Sequence, residues 1–95
     1  MFIVLLKFSD NKNQASQYMA GHNEWIKLGF DDGVFLLAGS LQPDPGGGIM
    51  AANTSLTELR NRVNEDPFVA KKVVTAEIIE ITPSKVDERL KNIFN

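Results

Sequence analysis

The sequence predicts an α+β fold of the ferredoxin-like type, a β-α-β-β-α-β chain forming a four-stranded antiparallel sheet with two helices on one face, plus a C-terminal helix. Three observations predict it. Apolar runs of strand length stand at 1–8, 34–41, 49–53 and 73–81. Stretches with helical periodicity separate the first run from the second and the third from the fourth. The second and third runs are joined by Gln-Pro-Asp-Pro-Gly-Gly-Gly at 42–48, a loop composition that suits a hairpin.

Each element has its own local reason. Phe2, Ile3, Val4, Leu5 and Leu6 are apolar without alternation, as in a strand buried on both faces. Residues 9–13 are a polar link. Over 14–30, Ala15, Tyr18, Met19, His22, Ile26 and Gly29 recur at three- and four-residue steps and form one helical stripe. His22 lies within that stripe, facing inward, and Trp25 lies at its edge. Gly33, after Asp31 and Asp32, suits the left-handed residue that ends a helix. Ser55 and Glu58 have capping-box spacing for a helix running to about residue 65, with Leu56, Leu59 and Val63 on one side. Pro67 disfavours helical geometry at Asp66 and is itself at ease at a first helical position. The helix therefore stops, and Asp66 is placed to cap a short turn at 67–72. Strand 73–81 follows and is broken at Pro83. Residues 84–94 read as a last helix, with Val86, Leu90, Ile93 and Phe94 as its apolar stripe.

A chain of 95 residues supports one core, so 1–95 is expected to be a single domain, with its main body at 1–82. A net charge of −2, with basic residues scattered apart from Lys71-Lys72, argues against nucleic acid as a partner. The absence of cysteine excludes disulfides, thiolate catalysis and cysteine metal sites. With a single histidine, a metal site built by the protein is not expected, and no cofactor is assigned. The apolar run 2–6 is too short for a membrane span and has no basic region before it, which predicts a cytoplasmic protein that does not engage membranes.

Two helices cover one face of such a sheet. Yet apolar residues fall on both faces of the first, second and fourth strands: Ile3 and Leu5 against Phe2, Val4 and Leu6; Phe35 and Leu37 against Val34 and Leu36; Ile79 and Ile81 against Val74, Ala76 and Ile78. Soluble monomers rarely expose so large an apolar patch. Burying several hundred Å² at about 25 cal/mol per Å² contributes several kcal/mol, so a homodimer packed sheet against sheet is predicted. The C-terminal helix, the other available cover, is too short to roof the whole face.

His22 is the one side chain with ordinary proton-carrier chemistry near neutral pH, and a carboxylate such as Asp66 often orients a working imidazole. His22 lies roughly 13 Å down its helix, so contact with Asp66 is left open. Each candidate also has a structural reading: His22 as a satisfied core histidine, Asp66 as a helix cap, Gly46 to Gly48 as a plain hairpin tip. Ser40 is a nucleophile only with a base beside it, and otherwise an edge or core serine. Tyr18 and Trp25 are read as packing residues, and Asp31-Asp32 as a solvated helix end.

An inward histidine on the first helix, Gly-Ser-Leu at a strand end before a Gly-rich hairpin, and Glu-Asp-Pro-Phe after the second helix occur here in that order. In this the chain resembles the YCII-related family over about its first eighty residues, with Asp-Pro-Phe as the most specific element. The resemblance implies a dimeric α/β barrel, in which two ferredoxin-like sheets pack face to face. It implies an active site on a histidine and an aspartate, His22 and Asp66 by position. Ser40 and Phe68, in the same matched motifs, become candidate substrate contacts. Most members have no assigned reaction, and at least one relative is a dehydrochlorinase acting on a chlorinated aromatic ring. The C-terminal helix lies outside the resemblance. Four functions are compatible with these residues: a small-molecule enzyme with His22 as general acid or base, a non-catalytic small-molecule-binding module, a structural dimer, and a haem- or oxygen-using monooxygenase of the kind found on similar barrels. The resemblance favours the first.

Overall fold

A computed structural model describes residues 1–94; Asn95, the last residue of the expected single domain, lies outside the described residues. Strands β1 (Phe2–Phe8), β2 (Phe35–Ser40), β3 (Gly46–Ala51) and β4 (Val74–Glu80) form one sheet in the order β2-β3-β1-β4. Every neighbouring pair is antiparallel, and the topology is ferredoxin-like. Helix α1 (Ala15–Asp31) connects β1 to β2, while α2 (Leu56–Asn64) and the single turn α3 (Pro67–Ala70) connect β3 to β4.

Register decides which residues meet the helices. Val4 stands between Ile49 of β3 and Ile78 of β4, and Phe2, Val4 and Leu6 are buried beneath the helical layer. The same layer receives Trp25 from α1, Leu59 and Val63 from α2, Phe68 from α3, and Phe35 from β2. Trp25, expected at the margin of the helical stripe, sits inside it. Its indole N–H donates to the Arg62 carbonyl (2.8 Å), and its ring meets Phe35 edge-on. Gly29 makes room for this contact, because a Cβ there would lie 2.1 Å from the Phe35 ring.

The strand boundaries shift for physical reasons. Residues 46–48, expected in the loop, belong to β3 and pair in order with Lys7, Leu6 and Leu5 of β1. Glycine is needed here for close approach: a Cβ on Gly46 would come within 2.5 Å of the Leu6 carbonyl oxygen. A register shift between Phe35 and Leu37 turns Phe35 toward the helices and leaves Leu37 57% exposed on the opposite face.

The C-terminal helix is shorter than the 84–94 read from the apolar stripe. It comprises a 3-10 turn at Glu88–Leu90 and α4 at Lys91–Phe94. Asp87 is extended and accepts the Arg89 N–H, which makes it the cap where helical geometry begins. The Arg89 guanidinium and amide also hold the Asp87 carboxyl below its ordinary range. Ile93 and Phe94 lie with Met1, Phe2 and Ala52 at one end of the sheet, while Leu37 and Ile79 on the helix-free face stay exposed. Among the described residues no helix is long and apolar enough to cross a membrane.

Candidate active site

Asp66 is held by the backbone that precedes it and the turn that follows. Pro67 keeps it extended (φ −61°, ψ 123°), and its Oδ1 accepts the Phe68 N–H (3.0 Å), the first free donor of α3. The Ser55–Glu58 capping box starts α2, and α2 in turn delivers Asp66 to the middle of α1. Gly21 then decides how closely α3 can lie against α1, since a Cβ on it would be 3.1 Å from Pro67 Cγ.

With α3 seated there, Asp66 Oδ1 lies 2.8 Å from His22 Nδ1. Asp66 is fully buried and His22 retains 12% of its side-chain exposure. The His22 ring stacks flat on Phe68, centroids 4.0 Å apart and planes 5° apart, and lies 5.9 Å from the Trp25 ring. Its orientation is therefore set from three sides. An ionised Asp66 takes the Nδ1–H and leaves Nε2 as the nitrogen free to accept a proton. Among the described residues, Asp66 Oδ2 has no hydrogen-bond partner, and it is buried. A buried carboxylate with an unsatisfied oxygen is costly, and a positive charge forming on the adjacent imidazole offsets part of that cost.

The pair opens onto a cavity of about 300 Å³ between the middle of α1, α3 and the hairpin end of the sheet. His22, Ser40 and Phe68 all line it, and Asp66 stands behind His22, not on the wall. The four residues singled out from the sequence are thus gathered in one place. Apolar side chains of Leu6, Met19, Ile26 and Ile49 form most of the remaining wall. Gly47, opposite Leu6 and Ser40, floors it. The glycines therefore do not make a loop that wraps an anion; their backbone is committed to the ladders on either side of β3.

Three lining residues carry no site signal in the sequence: Asn23, and Met19 and Phe8, which are exposed at 42% and 43% although apolar. Gly21 carried a signal: a mid-helix glycine costs about 1 kcal/mol relative to alanine, so its position next to His22 marks a close approach.

The solved structure of 5-chloro-2-hydroxyhydroquinone dehydrochlorinase from Burkholderia phenoliruptrix AC1100, in complex with 2,5-dihydroxybenzoquinone, is similar to this chain with a TM-score of 0.67. The likeness covers 86% of this chain and 94% of that one at 12% sequence identity, and at that identity it is a likeness of fold. No family model and no curated protein matches the sequence.

Proposed function

We propose that the chain is a small-molecule enzyme of the YCII-related type in which His22 is the general acid and base and Asp66 orients it. The observation that carries this reading is the 2.8 Å contact between His22 Nδ1 and a fully buried Asp66, at the wall of a cavity lined by Ser40 and Phe68. Nε2 takes a proton from an acidic C–H or O–H of the substrate, and the electron pair stays on the substrate. The imidazolium is paired with Asp66 until it returns the proton. Phe68 keeps the ring in its plane, and Ser40 contacts the substrate. That an enzyme acting on a small ring compound has the same fold supports the reading.

The working unit proposed is a homodimer of a single 1–95 domain, packed through the helix-free face in a dimeric α/β barrel. Ile3, Leu5, Leu37, Met50 and Ile79 form an apolar surface there. The chain exposes 6358 Å², against roughly 5,400 Å² usual for a folded monomer of its mass. The excess supports a covered face. A cytoplasmic location is part of the same proposal.

The test is deuterium exchange in D2O over a panel of small hydroxy- and oxo-compounds, followed by NMR. The wild-type protein is expected to accelerate exchange at one acidic position, and His22→Ala to lose that acceleration. Equal rates with both proteins across the whole panel would sink the catalytic reading and leave a binding cavity.

A further inference from the structure

We infer that the cavity takes an uncharged, mostly apolar small molecule bearing a carbonyl or hydroxyl group, held by Asn23 and Ser40, and that it rejects phosphorylated metabolites. The inference rests on the cavity being the substrate site of His22. Its polar side chains are His22, Asn23 and Ser40, and its lining contains no lysine, arginine, aspartate or glutamate. Lys7, between Leu6 and Phe8 in β1, is sent to the opposite face by strand alternation. The backbone offers no substitute cation. Gly47 and Gly48 lie in a strand paired on both sides, Gly46 pairs with Lys7 of β1 and its carbonyl accepts the Leu41 N–H, and the Phe68 N–H is taken by Asp66. A phosphate entering this space would lose its hydration and meet no lysine or arginine; His22, the one lining group able to carry positive charge, already faces the Asp66 carboxylate.

Beyond His22, what the wall offers is neutral. Asn23 and Ser40 both line the cavity and are both exposed, so their amide and hydroxyl are open to a ligand. An amide and a hydroxyl each donate and accept, which matches a carbonyl or hydroxyl group on a ligand. The apolar side chains and the Phe68 ring are suited to the rest of such a molecule. Asn23 thereby becomes a substrate-binding residue alongside Ser40.

The experiment titrates 15N-labelled full chain with 1-naphthol and with 1-naphthyl phosphate. 1-Naphthol is expected to bind roughly tenfold tighter or more, and to move the Asn23 side-chain and Gly47 amide signals. Asn23→Ala and Ser40→Ala should each weaken it several-fold without changing the unfolding midpoint. Met19→Arg, which sets a cation at the exposed mouth, should raise affinity for the phosphate by about tenfold. Equal or tighter binding of the phosphate to the wild type overturns the inference, as does the absence of any shift at Asn23 and Gly47 with 1-naphthol at millimolar concentration. His22→Gln should keep the order of the two ligands. A failed His22 exchange assay with this order intact removes catalysis alone, and a reversed order with exchange intact removes the ligand class alone.

Discussion

The ring of Phe68 lies flat against the imidazole of His22, while the backbone N–H of the same Phe68 donates to the carboxylate oxygen that faces His22 Nδ1. One residue therefore fixes both members of the pair. Phe68→Leu keeps most of the buried volume and loses the stack, which should cost about 1 kcal/mol in urea unfolding. Phe68→Ala should cost about 3–5 kcal/mol. In the leucine variant the His22 ring-proton resonances should move as the ring current of Phe68 is lost. Unchanged resonances would mean that the stack is not populated in solution.

Asp66 caps α3 and holds His22 with the same oxygen, and substitution separates the two roles. Asp66→Asn retains an oxygen for the Phe68 N–H and removes the charge. It should lower stability by about 1 kcal/mol and exchange activity by about 10²–10⁴-fold. Asp66→Ala removes the cap as well and should cost about 2–4 kcal/mol. If both variants unfold at the same urea concentration, Oδ1 is not acting as a cap.

Gly29 reverses a familiar trend. Alanine for glycine inside a helix ordinarily adds about 1 kcal/mol. Here the new methyl would overlap the Phe35 ring, and Gly29→Ala should lose about 1–3 kcal/mol. Phe35→Leu in the same chain should recover part of that loss, so a double-mutant cycle should give a favourable coupling. Additive losses would show that the helix moves aside freely.

Gly21→Ala probes alignment. Its methyl would press on Pro67 at 3.1 Å and move α3 away from α1. Stability should change by no more than about 1 kcal/mol, because the helix propensity gained offsets the crowding. Exchange activity should nevertheless fall, since the His22–Asp66 contact depends on that approach. Full activity would mean that the contact tolerates a looser fit.

The helix-free face gives a prediction about association. Leu37→Asp should convert a sedimenting pair into single chains. Gly39→Val is the subtler variant. A Cβ at Gly39 meets nothing within 4 Å of its own chain and φ is not positive, so glycine is not required there by this subunit. Unfolding at high dilution should stay within about 0.5 kcal/mol of the wild type, while association weakens. A single-chain sedimentation coefficient for the wild-type protein at all concentrations would sink the dimer.

Much of the fold was legible because its signals are local. The β1 strand itself, the Ser55–Glu58 box and the Asp66-Pro67 stop each depend on neighbours within one turn or one apolar run, and each appears where those neighbours require it. The misplaced features are those with distant causes. Glycines 46–48 have the composition of a loop, and only their pairing with β1, where Gly46 comes close against the Leu6 carbonyl, makes them strand residues. The 84–94 stripe has helical spacing but finds no surface along most of its length, so only its end is helical. Trp25 is central because Phe35 and the Arg62 carbonyl meet it there.

By itself the sequence determined the order of elements and the position of both capping residues, because apolar runs, helical period and cap chemistry act over a few residues. Only the tertiary structure decided that His22 meets Asp66, 44 residues away, and that Ser40 and Phe68 share a cavity with them. Those contacts follow from how near two elements can come, and that distance is set by the absence of side chains at Gly21, Gly29 and Gly46, each facing a residue far along the chain.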